Sequence, residues 1–412
     1  MSGFASLRQG FSENARRAFR YRDFRLLWTG AFFSFLGSWI QLTAQGWLVY
    51  ELTGSKEKLA YLSFAAALPG ALLGPILGVF VETLNRRKLL VVCQLVYACN
   101  ALGLSIGVFT GTVRYEWIMA VALINGVVNC FETPARQSLV GSIIPQEDLN
   151  AAIPINAMTF NLSRLLGPAV GGLLLGSIGA GACYAANALS FSALIWGILA
   201  IKSDIDTRNA EGGPIRDLII EGFQFTWREK RLREVFMLEA VTSSFGLFYL
   251  SQMPAIAKDM LRLDERGLGT AYSSIGVGTM LSLLFLMATA TRQNKTRLLK
   301  GGMTLFGLCL LGLSFARTPF IALPLLAVLG GCAVMQFNIS NQLFQTLSPD
   351  ALRGRTLAMH IWALGGFGVV TTPLFGRMAE RVGLSTTLAT CSGVVMLFAI
   401  IAWWRRVSFD SL

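Results

Sequence analysis

Apolar residues run in long blocks along this chain, and short polar breaks separate them. The blocks lie near 26 to 50, 59 to 81, 88 to 110, 116 to 139, 153 to 178 and 182 to 201, then 234 to 256, 268 to 290, 298 to 316, 320 to 346, 356 to 376 and 384 to 404. Each is long enough to cross a hydrocarbon core of about 30 Å as a helix, and a spanning segment must satisfy its own backbone hydrogen bonds there. The pattern therefore predicts an all-α membrane protein with twelve transmembrane helices in two six-helix halves. One long polar interval, from Lys202 to Arg233, divides the blocks six and six. Within it Ile215, Leu218, Ile219, Phe223 and Trp227 fall at helical spacing with charged residues between them. That spacing predicts an amphipathic helix lying on the membrane surface.

Composition agrees with the blocks, since 54% of the 412 residues are hydrophobic and 14% charged, against about a quarter charged in a soluble domain. The net charge of +12 takes its meaning from where the cations sit. With the N-terminus in the cytoplasm, 24 of the 35 Lys and Arg fall on the cytoplasmic side and 9 on the other, as the positive-inside rule requires. The charge reports orientation against an anionic inner leaflet, and no nucleic-acid partner is expected. The polar, basic start is not a cleavable signal. These divisions give a basic cytoplasmic N-terminus at 1–25, a first half at 26–201, a cytoplasmic linker at 202–233, a second half at 234–404 and a cytoplasmic tail at 405–412. All seven cysteines lie in or beside spans, and there is one histidine, His360, so neither a disulfide framework nor a metal site is expected, and no cofactor. No G-x-x-x-x-G-K-[ST] loop and no nucleophile with a base at a defensible spacing is present, so the chain reads as neither an ATPase nor an enzyme.

The halves repeat one another. Pro145 in a loop is followed 23 residues later by Pro168 in the fifth block, and Pro349 is followed 24 residues later by Pro373 in the eleventh, with glycines after each second proline. Between blocks two and three lies G-V-F-V-E-T-L-N-R-R-K, from Gly78 to Lys88. It resembles the signature loop of the major facilitator superfamily, which reads Gly, three residues, Asp, a basic residue, any residue, Gly and two basic residues. Gly78, Arg86 and Arg87 match, Glu82 keeps the acid, and Thr83 and Asn85 depart. In block five, S-R-L-L-G-P-A-V-G-G carries Gly167, Pro168, Gly171 and Gly172, and resembles the antiporter motif of the same superfamily with Ser163 in place of a glycine. F-R-L-L-W-T-G near the start of block one, W-L-V-Y-E-L-T-G-S at its far end and E-T-P-A-R-Q at Glu132 extend the resemblance to a branch that includes the bacterial enterobactin exporter and macrolide efflux proteins. It implies alternating access between two halves and export, with proton exchange suggested.

Charge inside the spans is the candidate chemistry. Glu132 lies roughly 10 Å from the inner end of block four and Arg164 roughly 16 Å into block five, at about 1.5 Å per residue. A charge at a span centre costs on the order of 3 kcal/mol on insertion scales, so each needs a partner or a water-filled cavity. Glu132 and Arg136 share a helix face four residues apart, and Pro134 between them predicts a kink. Glu132, Arg136 and Arg164 are expected to form a charge cluster in which Glu132 either exchanges a proton or stays in a permanent ion pair. Glu239 is a second coupling candidate, and His360 a helix-end hydrogen bonder or a proton relay. The resemblance implies that blocks one, four, seven and ten line the cargo cavity, which makes Gln41, Gln45, Phe245, Tyr249, Gln252, Asn338, Asn341 and Gln342 the contact candidates. Their alternative role is amide glue between helices. The expected function is a monomeric proton-driven exporter of an amphipathic drug or a secreted metabolite such as a siderophore, its partners being the cargo, protons and lipid. A lysophospholipid flippase of the same fold and a non-transporting sensor are the alternatives.

Overall fold

In the computed structural model, residues 16–202, 215–289, 294–349, 352–405, 407 and 409 are described, and they form helices with no strand among them. The elements are α1 (Arg22–Thr53), α2 (Lys56–Thr83), α3 (Arg86–Phe109), α4 (Tyr115–Ile143), α5 (Gln146–Ala200), α6 (Ile215–Arg228), α7 (Lys230–Val241), α8 (Phe248–Ser251), α9 (Met253–Ala255), α10 (Glu265–Thr289), α11 (Lys295–Phe315), α12 (Pro319–Leu347), α13 (Arg353–Val382) and α14 (Leu384–Trp404). Among the described residues eight helices are long and apolar enough to cross a membrane. Large apolar side chains such as Leu189, Trp196, Phe320 and Trp404 stay exposed on them, as lipid-facing residues do.

Two blocks differ from the simple one-helix expectation. Blocks five and six run together as α5, interrupted only at Gly179, where φ is 82° and ψ 176°. A Cβ there would meet nothing within 4 Å, so glycine is needed for its backbone conformation and not for space. Block seven is not one α-helix. It passes from α7 into a π-helical turn at Thr242–Gly246, through α8 and α9, and into a second π turn at Ile256–Met260. Pro254 lacks an N–H, and side chains take up carbonyls around the first turn: Ser243 Oγ donates to Ala363 O at 2.6 Å and Thr371 Oγ1 to Ser244 O at 2.8 Å. Block four, by contrast, continues as one helix through Pro134.

The residues cluster into two compact units. One comprises Met1–Leu52, Leu72–Glu211 and Glu265–Ser273, the other Thr53–Ala71, Gly212–Asp264 and Ser274–Leu412. Both α2 and α10 therefore begin in one unit and end in the other. The core of the first unit includes Phe24, Leu27, Ala31, Leu90, Ala135, Leu139, Leu194 and Ile198, drawn from α1, α3, α4 and both parts of α5. Asparagines start two equivalent helices: Asn85 Oδ1 accepts from Lys88 N at 3.0 Å at the head of α3, and Asn294 Oδ1 from Arg297 N at 2.8 Å at the head of α11. These N-caps satisfy donors that a helix start leaves open. The cap at Asn85 gives a physical role to a residue at which the signature loop departs from its family pattern. The preceding linker, residues 203–214, and the first fifteen residues lie outside the described residues.

Candidate charge sites within the spans

In the first unit, α4 carries Glu132 and Arg136 on one face, and both are buried. Arg136 Nε donates to Glu132 Oε1 at 2.8 Å, and the guanidinium lies 4.4 Å from the centre of the Phe35 ring on α1. The arginine is thus held by a carboxylate and an aromatic face together. Arg164 sits 5.7 Å from the Trp39 ring centre, and Phe160 packs edge-on against both Phe35 and Trp39. Two cations, one acid and three aromatic rings from α1, α4 and α5 therefore share one neighbourhood. The glycines of the antiporter-like motif bring these helices close. A Cβ on Gly171 would fall 3.1 Å from Ile40 Cα, and a Cβ on Gly172 would fall 2.8 Å from Gly269 Cα on α10. Gly167 faces Trp39, and Ser163 Oγ, where a glycine is usual, donates to Phe32 O at 3.3 Å.

At the signature loop, Gly78 and Glu82 belong to α2, but their side-chain region lies outside the described residues. Arg86 is buried, and its Nε has no hydrogen-bond partner among the described residues. Arg87 donates to the carbonyl of Leu199 and ties α3 to the end of α5. Nearby, Asp148 accepts from Tyr21 at 2.7 Å and from Arg17 at 2.7 Å. The Tyr21 hydroxyl first, and the guanidinium with it, hold this carboxyl below its ordinary range.

The second unit holds a different arrangement. Glu239 on α7 is fully buried, and its Oε2 lies 2.8 Å from Nδ1 of His360 on α13. Its other oxygen has no hydrogen-bond partner among the described residues. Phe344 of α12 lies 5.6 Å, centre to centre, from the imidazole. One turn away Gln336 Nε2 donates to Leu238 O at 3.1 Å, and Thr242 Oγ1 and Gln336 Oε1 stand 3.1 Å apart. The sequence singles out Glu239 and His360 separately, but a separation of 121 residues hides their pairing. Gln336 and Thr242 carry no sequence signal at all.

The cargo candidates are engaged partly within their own helices and partly with others. Gln41 Oε1 accepts from Asn187 Nδ2 at 2.6 Å, and its amide donates to Gln45 at 3.3 Å. Asn338 donates back to Val334 O, Asn341 accepts from Gln345, and Gln342 is exposed. Phe245 packs on Phe375, with ring centres 5.5 Å apart, and Tyr249 is buried beside Phe306. Gln252 Nε2 donates to Lys56 O at 3.1 Å.

That last bond belongs to a network within the second unit. Arg377 Nε donates to Glu57 Oε1 at 2.8 Å and its Nη2 to Tyr61 Oη at 2.5 Å. Glu380 accepts from Lys56 N at 2.8 Å, and Lys56 Nζ pairs with Asp259 at 3.0 Å. The bond from Arg377, then that from Tyr61, holds the Glu57 carboxyl below its ordinary value. Blocks two, seven and eleven are thereby joined.

A profile of the family described as transmembrane secretion effector matches residues 15–409. The chain is 24% identical over 390 residues to multidrug efflux pump Tap of Mycolicibacterium fortuitum, covering 89% of this chain and 91% of that one. It is 25% identical over 397 residues to macrolide efflux protein A of Streptococcus pyogenes, with 91% and 96% covered. It is 21% identical over 352 residues to the staphyloferrin A transporter of Staphylococcus aureus, with 81% and 84% covered. Among solved structures, a variant of the nucleoside transporter NupG superposes with a TM-score of 0.79 at 15% identity over 93% of this chain and 99% of that one. A D-xylose-proton symporter gives 0.70 at 15% identity over 93% and 97%. These likenesses show the helical major facilitator fold.

Proposed function

The chain belongs to the transmembrane secretion effector family of major facilitator transporters, and from that premise we propose that it is a secondary active exporter of an amphipathic small molecule. The observation that carries this reading is the family match over residues 15–409, which spans both sequence halves. The relatives named as efflux pumps for several drugs or for macrolides, and the one named as a siderophore transporter, make drugs and secreted metabolites the cargo classes to try first. In this reading both termini face the cytoplasm of a bacterial cell, the protein works as a monomer, and alternating access moves the cargo outward. Proton antiport supplies the driving force, with the buried carboxyl groups of Glu132 and Glu239 as the groups available to carry it. The network at Glu57, Arg377, Glu380 and Lys56 is then a gate contact on the outer side, opened once in each cycle.

The test is efflux of a panel of amphipathic fluorescent dyes from energised cells, in the wild type, in Glu132→Gln and after a protonophore. Export that the protonophore abolishes supports a proton-driven exporter. Loss of export in Glu132→Gln as well places that residue in the coupling path, whereas normal transport with unchanged pH dependence leaves it a permanent ion pair. Absence of efflux for every dye, with headgroup-selective lipid movement in its place, would overturn the small-molecule reading in favour of a flippase.

A further inference from the structure

Every buried acid among the described residues has a basic counterpart, and the counterparts differ in one respect. Glu132 pairs with Arg136 at 2.8 Å and Glu234 with Arg405 at 3.2 Å. Arginine does not give up its charge. Lys300 donates to the carbonyls of Ala402 and Val407 at 2.8 and 2.9 Å, closing the end of the last helix. Among the described residues Glu239 is the buried acid whose partner can be either neutral or charged, namely His360, the single histidine of the chain.

We propose that Glu239 and His360 together bind one exchangeable proton, and that a cationic amphipathic cargo displaces it. This deepens the exporter reading and rests on it. With one shared proton the pair is neutral overall, as a carboxylic acid beside an imidazole or as a carboxylate beside an imidazolium. Without it the pair carries one negative charge in a site where Glu239 is fully buried and one carboxylate oxygen has no donor. Such a buried net charge needs a countercharge. A monocation supplies it, and an anion of the same size does not. The exchange balances: one cation enters, one proton leaves for water, and the charge of the site is unchanged.

Among the described residues, the charged or titratable group in hydrogen-bond contact with Glu239 is His360; the elements packed against it carry others. On the helices packed against α7, the titratable groups are Cys332 on α12, Cys391 on α14 and, on α13, Arg353, Arg355, His360, Arg377, Glu380 and Arg381. Arg355 pairs with Glu221 of α6, which also carries Arg228. On α7 itself Lys230, Arg231 and Arg233 belong to the first turn, and Glu234 is taken by Arg405. His360 is the neighbour whose charge acts on Glu239. Thr242 and Gln336 fix the turn that follows Glu239, and so act as positioning residues.

The experiment uses the full-length protein in detergent, on a histidine-free affinity tag, with tetraphenylphosphonium as probe. This cation has no proton of its own, and tetraphenylborate is its anionic counterpart in shape. In weakly buffered solution we expect about one proton released per cation bound, and an affinity that rises about tenfold per pH unit while the pair is protonated. Tetraphenylborate is expected to release none. Glu239→Gln should bind the cation more weakly, with no proton release and no pH slope, and Glu239→Asp should restore both. Because the chain has one histidine, nitrogen-15 histidine labelling gives a single imidazole signal that needs no assignment. That signal should respond to the cation in the wild type and not in Glu239→Gln. Equal proton release from wild type and Glu239→Gln, or an imidazole that titrates identically in the two, overturns the proton site. Binding of tetraphenylphosphonium without a pH slope, or no binding at all, overturns the cation exchange. Neither readout requires export, so a failure of the exporter reading shows separately in the dye assay.

Discussion

Arg136 lies between a carboxylate and an aromatic ring, inside a span, at 9% exposure. Removing one partner of such a pair leaves the other charge buried without compensation, which costs about 3–5 kcal/mol in protein interiors. Arg136→Ala is therefore expected to lower the thermal unfolding midpoint in detergent markedly. Adding Glu132→Gln to it should recover much of the loss, and a double-mutant cycle over the four proteins measures the coupling. If the double variant is as unstable as the sum of the single ones, the pair contributes nothing as a pair. The sequence places these two residues on one helix face, because i and i+4 spacing is local. That Phe35 covers the guanidinium, and that Trp39 receives Arg164, depends on how α1 meets α4 and α5, which no local rule specifies.

At the level of helices, small residues decide how closely axes approach. A Cβ on Gly269 would fall 2.5 Å from Pro168 O and 2.9 Å from Gly172 Cα, whereas one on Gly393 meets nothing within 4 Å. Gly269→Ala should therefore destabilise by about 1–3 kcal/mol, the usual range for overpacking. Gly393→Ala, on an open helix surface, should be neutral or stabilising by up to about 1 kcal/mol. Thermal unfolding of the two variants side by side checks this, and equal midpoints would refute the close approach of α5 and α10. The breaks in block seven are also a matter of elements. Thr242, Ser243 and Ser244 are unremarkable in an apolar run, and the π turn they form is held by Gln336, Ala363 and Thr371 from other helices. Periodicity finds the span but not its interruption.

For the whole molecule, the network joining blocks two, seven and eleven is the contact that the proposed alternating-access cycle would have to open. Arg377 holds the Glu57 carboxyl below its ordinary value, about 4.3 for glutamate. The pair is therefore intact above that value and is lost only as pH falls through the lowered one, so mild acidity does not open it. With Leu59→Cys, buried beneath the network, in a background lacking the native cysteines, labelling by a membrane-impermeant maleimide should be slow and unchanged between pH 5 and 8. Adding Glu57→Gln should speed it several-fold at every pH. Labelling that accelerates at pH 5 without the second change would show that the network answers to external protons.

The helical membrane class and the superfamily are legible in the sequence, because each depends on local facts: block length and motifs in which neighbouring residues act together. Pairings across the chain are not. Glu57 meets Arg377 across 320 residues and Glu239 meets His360 across 121, and two of the amides that resemble cargo contacts, Gln41 and Gln252, are drawn into bonds between helices. Hydrophobicity fixes that a helix is buried in lipid, but lipid is indifferent to which helix face meets which. That choice falls to close packing at glycines and to the need of every buried polar group for a partner, and only the tertiary structure makes it.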